Sequence, residues 1–160
     1  MKLHFITALL GIGMSATSLA AEAFRVYAPA SKTQTLWIVD ALPKEDGGLE
    51  LKLAEKRELG FNGRVIAAHP NKPLLYICGG GKETGKIPGA VVTLAKDGAY
   101  SSHQQVAFND DAAYLSLDRT GAFLFGVSYG NGRLNAYRLG EDGLPGKAVA
   151  TIDEGKKEAH

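Results

Sequence analysis

The chain has 160 residues, 45% hydrophobic and 22% charged, enough to bury the core of one ordinary domain and too apolar for a disordered segment. Lys and Arg number 18 against 17 Asp and Glu, so a formal net charge of +1 provides no global field to draw in nucleic acid or acidic lipid. Its single cysteine, Cys78, excludes an internal disulfide.

The N-terminus reads as a targeting segment. Met1-Lys2 gives a positive start, Phe5 to Met14 is apolar and uncharged, and small residues follow from Ser15 to Ala23. That is the order of a secretory signal peptide, with cleavage expected after Ala20 or Ala23. The apolar stretch is shorter than the roughly 20 residues a membrane-spanning helix needs. The expected division is therefore a signal peptide over 1–23 and a folded part over 24–160, exported to the periplasm or secreted.

From there on, turn signals recur every 8 to 12 residues. They are Pro29-Ala30-Ser31, Glu45 to Gly48, His69-Pro70-Asn71, Lys96-Asp97-Gly98, Arg119-Thr120-Gly121, Gly130-Asn131-Gly132 and Glu141-Asp142-Gly143. Between them sit short β-branched or aromatic runs: Arg25 to Tyr27, Thr35 to Val39, Leu74 to Ile77, Ala90 to Leu94, Phe123 to Val127 and Leu134 to Leu139. This spacing predicts antiparallel, all-β structure. Leu49 to Leu59 alternates only in part and reads as strand and loop. Cys78 ends the apolar run Leu74-Leu75-Tyr76-Ile77 and reads as a small buried hydrophobe.

The segments also repeat. Val65 to Tyr76 aligns with Tyr114 to Phe125 at an offset of 49, each an apolar strand, a polar turn and a bulky strand. Val92 to Gly98 aligns with Tyr137 to Gly143 at an offset of 45, and the difference falls in the Gly-rich loop Gly79 to Gly89. A unit of 45 to 49 residues with four strands is a propeller blade, which buries its faces only against neighbouring blades. Four-stranded antiparallel sheets are expected over about Val65 to Gly98 and Tyr114 to Leu144, packed face to face, with no room between strands for the helices of a parallel sheet. The fold class is an all-β propeller, present as an open set of about two to three blades.

Ala113 to Phe125, then Ser128 to Leu139, resembles a blade of the bacterial 6-phosphogluconolactonase family, the seven-bladed β-propeller lactonases. Ala67-Ala68-His69-Pro70 with Leu74-Leu75-Tyr76 resembles the preceding blade, Arg25 to Ser31 the opening strand, and Glu158-Ala159-His160 the start of a further inner strand. The family's propeller is more than twice this length, so the chain reads as its N-terminal portion, an incomplete copy expected to be inactive by itself. The alternative is a small protein that closes by self-association.

The resemblance implies sugar-lactone hydrolysis, a carboxylic ester hydrolysis in carbohydrate metabolism, with no cofactor and no metal. Such chemistry needs a group to polarise the carbonyl, one to activate water and one to hold the sugar acid. In propellers the ligand mouth lies at one end of the central channel, near the inner-strand starts. The candidates there are Asn62, Arg64, Asp111, Glu158 and His160. Carried over from the family, His160 faces the channel as general base or lactone-binding group, while Glu158 stands where the family often has a second His. Arg64, at the start of an inner strand, could contact an anionic substrate, and Asn62 and Glu158 are the other substrate-binding candidates.

Other polar residues read as structural. His69 bonds nearby backbone in its His-Pro turn, His103 sits in a solvated loop, and Asn109-Asp110-Asp111 is an acidic turn without the spacing of an EF-hand. Gly80 to Lys86 nearly matches a phosphate-binding loop, but Ile87-Pro88-Gly89 and a strand follow where that loop requires Ser or Thr and a helix. Export counts against a cytosolic sugar phosphate. It leaves open an unphosphorylated lactone, or a second function, an exported non-catalytic propeller that binds a polysaccharide or protein partner.

Overall fold

The computed structural model describes residues 22–81 and 86–154. It consists of eleven strands and one 3-10 turn, Ser31–Thr33, among those residues. The strands are β1 (Phe24–Ala30), β2 (Thr35–Pro43), β3 (Leu49–Glu58), β4 (Gly63–Ala68), β5 (Leu74–Gly79), β6 (Ile87–Leu94), β7 (Tyr100–Phe108), β8 (Tyr114–Leu117), β9 (Phe123–Ser128), β10 (Arg133–Leu139) and β11 (Pro145–Asp153). They form three antiparallel meanders in chain order: β1-β2-β3, β4-β5-β6-β7 and β8-β9-β10-β11. No helix interrupts the described part of the repeat, as the spacing of turn signals predicts.

Two boundaries differ from the sequence expectation. The second and third sheets run on to Phe108 and Asp153, because β7 and β11 are the outermost strands of their sheets. Most of their residues are exposed, so the alternation that marks a half-buried strand is weak there. His103, expected in a loop, therefore lies within β7, with Nδ1 2.8 Å from the Tyr100 hydroxyl. Similarly, Leu49–Glu58 is one continuous strand, kept in register with β2 across a bulge at Ile38/Val39.

The sheets stack face to face and alternation along a strand decides which neighbour each side chain meets. Leu75, Ile77, Ala90 and Val92 of the second sheet pack with Leu36 and Ile38 of the first. Leu74, Tyr76, Cys78 and Val91 point the other way, onto Leu115, Leu124, Tyr137 and Leu139 of the third. Every residue of β5 is buried, as a strand covered on both faces must be.

Repeated turns fix which strands correspond. Asp46-Gly47, Asp97-Gly98 and Asp142-Gly143 each join the last two strands of a sheet. In each, the Asp Oδ1 accepts from the backbone N–H two residues on (Gly48, Ala99, Leu144) at 2.8, 3.0 and 3.0 Å. Each Gly has φ near +80°, a conformation that favours glycine. The Tyr76 hydroxyl donates to the Gly143 carbonyl at 2.9 Å, and the Tyr27 hydroxyl to the Gly98 carbonyl at 2.7 Å. Tyr27 in β1 thus does for the first sheet what Tyr76 in β5 does for the second. So β1, β5 and β9 are equivalent second strands of a blade. Among the described residues, the first sheet has no strand in the innermost position that β4 and β8 occupy.

Candidate functional site

The inner strands β4 and β8 begin at the same end of the stack, and the polar side chains gather there. Arg64 is the second residue of β4. Its Nη1 donates to Asp111 Oδ2 at 2.8 Å, joining the start of one inner strand to the segment entering the next. The other Asp111 oxygen accepts from Ser128 Oγ at 3.1 Å, at the end of β9. The stem of Arg64 lies across Gly80, where an added Cβ would come 2.5 Å from the Arg64 Cδ, so a side chain there would push the Arg64 stem aside. Half of the Arg64 side chain stays exposed, so the guanidinium keeps donors for a ligand while Asp111 holds it in place. Asn62, exposed two residues earlier, anchors the same corner through its carbonyl, which accepts from the Gly80 N–H at 3.0 Å.

Asp110, next to this pair, faces inward and is buried. Its Oδ1 accepts from Asn131 Nδ2 at 2.8 Å and its Oδ2 from Asn135 Nδ2 at 2.9 Å, with Arg133 Nη1 at 3.5 Å. Asn135 in turn accepts from Thr151 Oγ1 at 2.8 Å, and Arg133 Nε donates to Asp153 at 2.6 Å. A carboxylate withdrawn from water needs such partners, and here they tie the loop before β8 to β10 and β11. Both carboxylates of the Asn109-Asp110-Asp111 turn are thus engaged by protein donors. Among the described residues no group of three or more His, Cys, Asp or Glu could hold a metal ion.

The structure therefore brings Arg64, Asn62 and Asp111 to one corner. Glu158 and His160, the carried-over substrate and base positions, lie outside the described residues. From the sequence Asp110 reads only as part of an acidic turn, and no role falls to the Ser128, Asn131 or Asn135 side chains. Asn109-Asp110-Asp111 and Asn131 in its Gly-rich turn have the composition of solvated loop, Asn135 is one polar residue in a strand, and only the fold reveals that one carboxylate is turned inward onto Asn131 and Asn135.

The remaining titratable candidates are structural. His69 is buried; its Nδ1 accepts from the backbone N–H groups of Asn71 and Lys72, both at 3.0 Å, and its Nε2 lies 3.2 Å from the Gly121 carbonyl. One nitrogen accepts and the other donates, which is the neutral Nε2–H tautomer. At the equivalent place one repeat later, Asp118 accepts from the N–H groups of Thr120 and Phe123 and from the Thr120 hydroxyl. These hydrogen bonds, Thr120's first, pull the Asp118 carboxyl down to about 2. Cys78 is fully buried, and burial pushes its thiol up to about 11. After Gly79–Gly81 the chain enters strand β6 at Ile87, without the helix a phosphate-binding loop requires.

Comparison with known proteins fits this geometry. The family described as "Lactonase, 7-bladed beta-propeller" matches residues 39–160. The chain belongs to the seven-bladed β-propeller lactonase family. Within that family it is similar to the 6-phosphogluconolactonase of Cronobacter sakazakii, at 39% identity over 66 residues, which is 41% of this chain and 19% of that protein. Its fold is shared by a candidate 6-phosphogluconolactonase from Bacteroides fragilis (TM-score 0.62, 14% identity, 86% of this chain and 38% of that one). A protein of unknown function from Desulfotomaculum acetoxidans also shares it (TM-score 0.57, 10% identity, 81% of this chain and 42% of that one). At such identities the structural matches speak for the fold alone. The chain spans about a fifth of the curated relative and about two fifths of these two solved structures.

Proposed function

We propose that this lactonase-family chain contributes the Arg64 corner of a site that opens a sugar lactone of the 6-phosphogluconolactone type. The observation that supports the reading is Arg64 itself: a half-exposed guanidinium at an inner-strand start, fixed by Asp111 and laid over Gly80. In lactone hydrolysis water adds to the ester carbonyl carbon, the ring C–O bond breaks, and the proton lost by water ends on the released hydroxyl. A fixed guanidinium suits the oxyanion of the addition step or the anionic group of the sugar acid, because its fork of donors pairs with two oxygens at once. The base would be His160 by the family resemblance, with Glu158 beside it and Asn62 lending a polar edge near Arg64. The reading includes export, from the Met1-to-Ala23 pattern, and therefore favours an unphosphorylated lactone as the physiological substrate. It also holds that these residues alone turn over little, since the chain contains a minority of the blades of its relatives.

Isothermal titration of the chain with gluconate and with 6-phosphogluconate tests the corner directly, with lactone-opening rates measured alongside. Binding is expected to be weak, lost in Arg64→Ala, and unchanged in Arg119→Ala, whose exposed side chain lies at the far end of the stack. Equal binding by wild type and Arg64→Ala would remove Arg64 from the site. No binding of either sugar acid by wild type would favour a propeller that binds a macromolecule.

A further inference from the structure

The segment that crosses from β7 to β8 is anchored differently from its counterpart one repeat earlier. At the offset of 49, Asp110 corresponds to Phe61 and Asp111 to Asn62. Phe61 is buried in the cluster that contains Ala90 and Val92 of β6. Those two residues correspond, at the offset of 45, to Asn135 and Tyr137 of β10. The earlier crossing is thus held by apolar contact and the later one by polar groups. Arg133, Asn135 and Tyr137 alternate along β10 and so share one face of the sheet. All three serve the crossing segment. Arg133 Nη1 lies 3.5 Å from Asp110 Oδ1, Asn135 Nδ2 donates to Asp110 Oδ2 at 2.9 Å, and the Tyr137 hydroxyl accepts from the Asn109 N–H at 2.9 Å. Asn131, in the turn before β10, donates to Asp110 Oδ1 at 2.8 Å.

A buried carboxylate is a costly anchor. Apolar groups of similar volume often replace a buried ionic set without loss of stability, and Phe61 shows that an apolar side chain holds a crossing at this place. Hydrogen bonds, however, fix direction, whereas apolar contact fixes only proximity. Direction matters at the later crossing because Asp111 follows Asp110. Its Oδ2 accepts from Arg64 Nη1 at 2.8 Å, across the boundary between the second and third sheets, while its Oδ1 accepts from Ser128. Asn62, the counterpart of Asp111, bonds instead through its backbone carbonyl, to Gly80.

We propose that Asp110 is a positioning residue for Arg64. Held by Asn131, Asn135 and Arg133, it orients the crossing segment so that Asp111 fixes the guanidinium at the start of β4. The role rests on the reading of Arg64 as a contact for a sugar acid, but the placement of the guanidinium can be followed without any ligand.

Three variants separate direction from stability. Asp110→Asn keeps the shape and removes the charge. Asp110→Phe with Asn135→Ala copies the apolar anchor of the earlier repeat. Asp110→Asn with Asn135→Asp moves the carboxylate to the other end of the same hydrogen bond. The Arg64 Nε–H resonance, assigned by its loss in Arg64→Lys, is followed in each by NMR, together with gluconate affinity by isothermal titration and the thermal melt. Asp110→Asn and the apolar pair are expected to displace the resonance toward its position in Asp111→Ala and to weaken binding by about tenfold or more. The apolar pair should still melt cooperatively, and the exchanged pair should restore both resonance and affinity. An Asp110→Asn chain with resonance and affinity unchanged overturns the proposal. So does a folded apolar pair that keeps both, since any anchor would then serve. If the apolar pair does not fold, Asp110→Asn and the exchanged pair decide between the same outcomes. Wild type that binds no gluconate, while Asp110→Asn still displaces the resonance and the exchanged pair restores it, would sink the lactone reading and uphold the positioning role.

Discussion

His69 and Asp118 occupy the same place in successive repeats, and the comparison explains why a histidine can sit there without taking part in chemistry. Each side chain accepts backbone N–H groups of the turn between a blade's first two strands, a carboxylate in one case and a neutral imidazole in the other. Replacing His69 by Ala leaves two N–H groups without their acceptor in a buried turn and should cost about 1–3 kcal/mol, read as a lower urea midpoint. His69→Asp, which restores the acceptor used one repeat later, should recover part of that loss; equal losses in the two variants would remove the capping role. Cys78 makes a second residue-scale prediction. With its thiol raised to about 11 by burial, the folded state keeps its proton where the unfolded chain, nearer 9, has lost it. Stability from this group is therefore full below about 9 and declines as pH rises through about 11. A thiol reagent at pH 8 should leave the native chain unlabelled and react once urea unfolds it. Rapid native labelling would contradict the buried placement.

At the scale of elements, the hydroxyl clasps hold adjacent sheets at a fixed offset. Tyr76 reaches Gly143 from a fully buried position, while Tyr27 reaches Gly98 near the edge of the stack. Tyr76→Phe should cost about 0.5–1.5 kcal/mol for the lost hydrogen bond, and Tyr27→Phe less, since water can replace its partner. Thermal melts of the two variants compare them, and a larger loss for Tyr27→Phe would reverse the order of burial on which this rests. The Tyr76 hydroxyl is also held up to about 12 by burial, in keeping with a donor that does not ionise near neutrality. These elements differ in how far the sequence reveals them. Strands β5, β6, β9 and β10 are legible because their residues are apolar and bounded by turns, and the Asp-Gly pairs mark hairpins whose glycines do take positive φ. Strands β7 and β11 are not legible, because an outermost strand is selected for exposure and Ser101-Ser102-His103-Gln104-Gln105 has the composition of a loop. Arg64 is legible from its place ahead of an apolar strand. Asp110 is not, since nothing in Asn109-Asp110-Asp111 distinguishes the carboxylate that turns inward from the one that meets Arg64.

For the whole molecule, the asymmetry of cover decides where stability resides. The second sheet is enclosed on both faces, by Leu36 and Ile38 on one side and by Leu124 and Tyr137 on the other, whereas the first and third sheets each leave one face open. Local opening is cheapest where fewest apolar contacts are lost, so the stack should open from its two ends toward the middle. Hydrogen exchange followed by mass spectrometry at low protein concentration should find the slowest amides in β5 and β6. Those of β1, β3, β8 and β11 should exchange faster, β1 especially, since among the described residues its inner edge carries no strand. Uniform exchange across all three sheets at low concentration would mean that the molecule opens as one unit and that the enclosed middle sheet has no stability beyond that of its neighbours.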